Sequence, residues 1–139
     1  MLKNIPNQIS PELMKALMEM GHGDEILLAD GNFPAHSYGK KVIRADGLGI
    51  PEIMEAILKF LPLDTFVDFN VIFMDNGSDE KPKIWKKYIE ILENSGEKYS
   101  YTSVERFQFY KKCENVFAIV ATSETALYAN VILKKGVVK

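Results

Sequence analysis

Apolar and polar positions alternate along the chain in two rhythms, one of helices and one of strands. Leu13, Leu17 and Met20 fall at i, i+4 and i+7, with Met14 and Met18 widening the stripe. Ser10-Pro11-Glu12 ahead of them offers an N-cap, a proline at the first helical position and an acidic first turn, so a helix is expected from Pro11 to Met20. Gly21 stands where a left-handed C′ residue would end it. Glu25 to Ala29 is an apolar run of strand length, with Asp30 at its carboxyl end and the turn residues Gly31 and Asn32 behind it. Pro51 opens a second helix with two adjacent apolar rows, Ile53, Ile57 and Phe60 beside Met54, Leu58 and Leu61, and Pro62 ends it.

The second half repeats the scheme. Asn70 to Met74 reads as a core strand, and Pro82 to Asn94 as a helix whose apolar side is Trp85, Tyr88, Ile91 and Leu92, with Gly96 as its stop. Tyr99 to Val104 alternates as a strand, and Glu105 to Cys113 looks helical, with Phe107 and Tyr110 pointing one way and Arg106 free to face a crevice. Val116 to Ala121 is the strongest strand signal and is expected at the sheet centre; Val131 to Lys134 is the last strand, closing at Gly136. Strands alternating with helices place the chain in the α/β class with a largely parallel sheet, whose strand order periodicity does not supply.

Composition narrows the function. A length of 139 residues suits one compact domain, and 47% apolar with 26% charged residues is ordinary globular usage. A formal charge of −2 lacks the basic footprint that a phosphate backbone demands, so nucleic acid is not expected as a partner, and the clusters Lys81 to Lys87, Lys111-Lys112 and Lys134-Lys135 read as solvated faces. The first residues hold no apolar targeting segment, and no apolar run approaches the roughly 20 residues that span a bilayer, so no membrane partner is expected. A single cysteine, Cys113, excludes an intrachain disulfide framework and fits a reducing cytoplasm; among Phe109, Tyr110 and Val116 it reads as a packing residue.

The chemistry is concentrated between Gly21 and His36, which hold both histidines, two aspartates and three of the nine glycines. Gly21-His22-Gly23 follows a helix and lacks the third glycine of a dinucleotide loop; no phosphate loop, no nucleophile elbow and no zinc spacing occurs. Neither a metal nor a cofactor is expected. Proton transfer remains, by an imidazole assisted by carboxylates, a guanidinium and a phenol. His22 reads equally as a proton-transfer group or as a solvent-facing turn residue, and Asp30 as a ligand contact at a strand end or an Asx-turn residue.

Met20-Gly21-His22-Gly23-Asp24-Glu25-Ile26, Asp30 with Asn32-Phe33-Pro34-Ala35-His36-Ser37, Ile43-Arg44-Ala45-Asp46-Gly47-Leu48, Glu105-Arg106-Phe107 with Phe109-Tyr110, and Tyr128-Ala129-Asn130 running into Leu133-Lys134-Lys135-Gly136-Val137 together resemble the L-fucose mutarotase family, whose relatives include D-ribose pyranase. The resemblance spans nearly the whole chain. It implies one three-layer α/β domain over residues 1–139, with a largely parallel or mixed sheet flanked by helices. It further implies cofactor-independent exchange of the α and β anomers of a free monosaccharide, L-fucose in the first place. D-ribose pyranase activity and a non-catalytic sugar-binding or regulatory module stand as alternatives. By the same resemblance His22 is the catalytic residue, and Asp30, Arg106, Tyr128 and Asn130 contact the sugar. Asp30 would hold a hydroxyl or bias the imidazole tautomer. Asp24, His36 and Arg44 rank second, as turn, rim or interface residues. The family's habit implies a homo-oligomer, in the form of a ring such as a decamer for some members, with sites near subunit contacts.

Overall fold

A computed structural model describes residues 1–38 and 41–139. Ten regular elements follow in order: α1 (Pro11–Glu19), β1 (Glu25–Ala29), β2 (Lys41–Ala45), α2 (Ile50–Ile57), β3 (Val71–Met74), α3 (Ile84–Ser95), β4 (Tyr101–Val104), α4 (Arg106–Cys113), β5 (Ala118–Thr122) and β6 (Val131–Lys134), with a single 3-10 turn at Ala35–Tyr38. The six strands form one sheet in the order β2-β5-β1-β6-β3-β4. Strands β2, β5 and β1 are parallel neighbours, as are β3 and β4, while β6 runs antiparallel to both β1 and β3. The sheet is therefore mixed, and its centre is the β1–β6 pair; β5 is interior but lies one strand off the middle.

Helices cover both faces. Leu13, Leu17, Ile53, Met54, Ile57, Tyr88 and Leu92 from α1, α2 and α3 pack on one side against Ile26, Leu28, Val120, Val131 and Phe73. Phe109 and Cys113 from α4 join Phe33 and Ala35 on the other side against Leu27, Ile119, Ile132 and Met74. Alternate residues of β1 thus enter opposite cores, which is why its sequence is an unbroken apolar run with no polar phase. The three layers match the expected architecture.

Local chemistry explains the ends. Ser10 caps α1 by accepting the Leu13 amide at 3.1 Å, and Gly96 ends α3 in the left-handed conformation at φ 77°. Gly21 does not play that part for α1. The helix stops at Met20 in extended geometry, and the positive φ falls on Gly23, at 87°. The Gly21 amide instead donates to Asp24 Oδ2 at 2.7 Å, which makes Asp24 the carboxylate of the turn carrying His22. A second difference concerns α4. Phe109 and Cys113 are its buried residues, whereas Phe107 is 68% exposed and lies beneath the Arg106 guanidinium, 4.7 Å from it. Glu105 caps this helix through the amides of Phe107 and Gln108, and Phe109 and Cys113 pack into the core beneath it.

Five strands point one way and β6 the other, so the carboxyl ends of β1, β2, β3, β4 and β5 share an edge with the start of β6. Asp30, Asp75, Glu105 and Asn130 follow or precede strands at that edge, and Thr122 is the last residue of β5 there. At the opposite edge, the start of β1 meets the end of β6: the Gly23 amide donates to the Lys135 carbonyl, and the Lys135 amide to that of Asp24, both at 2.8 Å.

Candidate active site

At the carboxyl edge the candidate site is built from the strand ends outward. The Asp30 amide donates to Asn130 Oδ1 at 2.8 Å, and Asp30 Oδ1 accepts the Asn32 amide at 3.0 Å. The Asx turn and the strand-end placement both hold. Asn130 is buried, and its amide nitrogen faces Met74 Sδ at 3.9 Å. Thr122 donates to the Ala29 carbonyl at 2.7 Å, and Gly31 donates to the Glu124 carbonyl at 2.8 Å, tying the 122–130 loop to the end of β1. A side-chain methyl on Gly31 would meet that carbonyl at 3.2 Å, so the close approach favours glycine there. From α3, the Tyr88 hydroxyl donates to the Ala129 carbonyl at 2.7 Å inside the core. Tyr128 just before it is held at φ 55°, a left-handed conformation uncommon for a tyrosine and found where surrounding structure over-determines the backbone.

Asp30 is only 8% exposed, and burial pushes its carboxyl up from the ordinary range despite the amides of Asn32 and Phe33 that favour the ionised form. Tyr110 of α4 faces the same region. Burial raises its phenol pKa, the Arg106 charge draws it back and the Asp30 charge pushes it up again, with Tyr128 also among its neighbours. Beneath them Phe33 sits 5.4 Å from the ring of Tyr38 and 5.3 Å from that of Tyr110, an aromatic floor beside the polar wall. Asp30, Arg106, Tyr110, Tyr128 and Asn130 thus offer carboxylate, guanidinium, phenol and amide groups around one apolar platform. Such a mixture suits a small polyhydroxylated ligand: hydrogen bonds for its hydroxyls and an aromatic surface for its apolar face.

His22 stands elsewhere. It precedes β1, so the whole of that five-residue strand, about 16 Å of rise, separates it from Asp30. The structure joins Asp30 to Asn130 directly, sets Arg106 and Tyr128 around Tyr110 at the same sheet edge, and leaves His22 at the opposite edge, where Asp30 of the same chain cannot bias its tautomer. Its partner is Asp64: Nε2 lies 3.0 Å from Asp64 Oδ1, with the imidazole half exposed and the carboxylate almost wholly covered. The ring also rests against Phe66, with centroids 5.6 Å apart. Burial alone would raise the Asp64 carboxyl, but the Phe66 amide and His22 hold it below its ordinary value.

Neither Asp64 nor Tyr110 was visible as a site residue in the sequence. Asp64 lies in an aperiodic stretch, Leu63 to Asn70, where acids alternate with exposed aromatics, and that exposure of Phe66 and Phe69 is the one signal the segment carries. Of the second-rank residues, His36 is exposed at the rim with Nε2 3.3 Å from the Arg44 guanidinium, and Arg44 pairs with Asp46 at 2.6 Å. Among the described residues, no three His, Cys, Asp or Glu side chains are grouped so as to hold a metal ion, and no helix is long and apolar enough to cross a membrane.

Polar side chains gathered beyond the carboxyl ends of parallel strands stand where α/β proteins commonly bind small ligands. The chain belongs to the RbsD / FucU transport protein family, whose model matches residues 3–138. It is 50% identical to human fucose mutarotase over 98% of this chain and 94% of that one, and 46% identical to an L-fucose mutarotase of Haemophilus influenzae over 99% and 97%. Among solved structures, fucose mutarotase from Streptococcus pneumoniae in complex with L-fucose superposes with a TM-score of 0.94 at 51% identity, covering 99% of this chain and all of that one. Bacillus subtilis RbsD complexed with D-ribose shares the fold, with a TM-score of 0.76 at 23% identity over the full length of both chains.

Proposed function

We propose that this chain is an isomerase that interconverts the α and β anomers of free L-fucose, without a cofactor. The observation that carries the reading is near-full-length similarity, at about half identity, to proteins named for that activity, one of them solved with L-fucose. The polar and aromatic crevice is chemically suited to it. A base removes the proton of the anomeric hydroxyl while an acid delivers one to the ring oxygen. The bond between anomeric carbon and ring oxygen breaks to give the open aldehyde, which rotates and closes again on either face as the two protons return. Charge and oxidation state are unchanged across the cycle, so titratable side chains suffice.

Roles follow from reach. His22 is the proposed proton-transfer group, while Asp30, Arg106, Tyr128 and Asn130 hold sugar hydroxyls, and Tyr110 adds a phenol within the same crevice. Met74, against the Asn130 amide, lines its inner end. His22 and the crevice occupy opposite edges of one sheet, so a site containing both takes His22 from a second copy of the chain. Exposed apolar residues lie at each edge: Phe66, Val67 and Phe69 beside His22, and Phe107 and Leu127 beside Arg106 and Tyr128. Joining one edge of a copy to the other edge of the next is a head-to-tail contact, and such contacts form rings where the rotation between copies closes. The protein is accordingly a proposed homo-oligomer, in keeping with a ring such as a decamer, of one-domain subunits that work in the cytoplasm.

Saturation-transfer NMR between the α and β anomeric protons tests the activity. Irradiating one anomer of L-fucose should attenuate the other in proportion to protein added, with a smaller effect on D-ribose. Exchange at the uncatalysed rate for both sugars overturns the reading; faster exchange for ribose replaces it by pyranase activity, and ligand shifts without exchange replace it by a binding module.

A further inference from the structure

The turn carrying His22 would, by itself, leave an imidazole free to rotate in solvent, and no reaction gains from a base whose reactive nitrogen is undefined. The surroundings remove that freedom. Asp64 Oδ1 meets His22 Nε2 at 3.0 Å and also accepts the Phe66 amide at 3.0 Å. The main chain of Asp64 is pinned at both ends: its amide donates to the Lys134 carbonyl at 3.1 Å, and its carbonyl accepts from the Asn70 side chain at 3.0 Å. Asn70 is itself buried and bonded to the Lys98 carbonyl and the Ser100 amide. Gly136 lets β6 approach this segment, since a methyl there would lie 2.5 Å from the Leu63 carbonyl oxygen. The main chain of Asp64 is thus fixed, and the Phe66 amide on Oδ1 holds its carboxylate toward the ring.

We propose that Asp64 is the positioning residue of His22, holding its proton on Nε2 and so leaving Nδ1 as the nitrogen that exchanges protons with substrate. A carboxylate is an acceptor only, so the nitrogen facing it must carry a proton in both charge states of the ring. The Asp64 carboxyl is held in its ionised form by the Phe66 amide and by His22 against the cost of burial. Among the described residues, Nδ1 has no hydrogen-bond partner, and the imidazole is half exposed. The tilted Phe66 ring flanks the imidazole at 5.6 Å and limits its rotation. Once its second nitrogen is engaged, the imidazole can accept a proton at Nδ1 and return it without turning, with the imidazolium stabilised by the carboxylate behind it. This assignment rests on His22 being the proton-transfer group, and its test separates the two.

Proton–nitrogen correlation spectra of the uniformly labelled protein read the tautomer directly. Only His22 and His36 contribute, and a His36→Gln variant assigns them. At a pH where the ring is neutral, His22 should show a protonated Nε2 whose proton is held long enough to be seen, together with an unprotonated Nδ1. Asp64→Ala should abolish that proton signal through exchange with water. It should also lower kcat for anomer exchange by about tenfold or more, a part of what a general acid–base group supplies, with KM nearly unchanged. A wild-type ring protonated on Nδ1, or an Asp64→Ala spectrum identical to that of the wild type, overturns the assignment. If Asp64→Ala fails to fold, the wild-type spectrum alone decides it. A protein with the expected tautomer but no anomer exchange would overturn the proposed function and leave the His22–Asp64 pairing standing; exchange with the other tautomer would do the reverse.

Discussion

The amide of Asp30 donates to the side-chain oxygen of Asn130 at 2.8 Å, joining positions 100 residues apart. The bond exists because β6 runs against its neighbours, so that its first residues arrive where β1 ends. One amide side chain thereby closes the sheet edge and forms part of the wall of the crevice.

Asn130→Ala should therefore act on stability and binding together. It strands a buried amide, a loss of about 1–3 kcal/mol, and removes a hydrogen-bonding group from the crevice. Urea denaturation and a sugar titration on the same preparation should both show the deficit.

Asp30→Asn should separate the two properties. Burial raises the Asp30 carboxyl above its unfolded value, so its contribution to stability is fully present below the ordinary carboxyl range and is lost as pH rises through the raised pKa. At neutral pH the aspartate is a liability to the fold. Asparagine keeps the acceptor for the Asn32 amide, and the variant should melt no lower than the wild type at neutral pH while losing anomer exchange. Calorimetry at two pH values should find the stability of the variant relative to the wild type increasing as pH rises through the raised Asp30 pKa.

How much of this was legible in the chain depended on whether the cause was local. Trp85, Tyr88, Ile91 and Leu92 repeat at helical spacing, and all four are buried in α3. In α4 Phe107 and Tyr110 stand at i and i+3, yet the buried pair is Phe109 with Cys113, which packs under the sheet and is chosen by tertiary contact. The direction of β6 left no trace in its own four residues, because antiparallel pairing is set by partners more than fifty residues away. For the site, Asp30 could be placed from its strand end. Asp64 could not, since it owes its burial to Asn70 and Gly136, which touch it only in three dimensions.

Gly136→Ala tests that frame. The new methyl would lie 2.5 Å from the Leu63 carbonyl oxygen and 2.8 Å from the Asp64 Cα, both main-chain atoms that cannot swing aside. A loss of about 1–3 kcal/mol is expected from such overpacking, and anomer exchange should fall although residue 136 lies outside the crevice. Thermal denaturation and kcat measured together should move in the same direction.

His22→Ala should leave the fold intact, because the side chain is half exposed and packs only at its edge. Its anomer exchange should drop by roughly 10²–10⁴-fold, with a melting temperature lowered only modestly, because Asp64 loses one hydrogen-bond partner and keeps the Phe66 amide.

The division of the site between two copies is tested most directly by mixing two variants. His22→Ala retains the crevice and Asp30→Ala retains the imidazole, and each alone should exchange the anomers of L-fucose at close to the uncatalysed rate. Co-refolded in equal amounts, they should regain about a quarter of the wild-type rate, the fraction of head-to-tail contacts that join an intact His22 to an intact crevice. A mixture no more active than its parents would contradict a site shared between subunits.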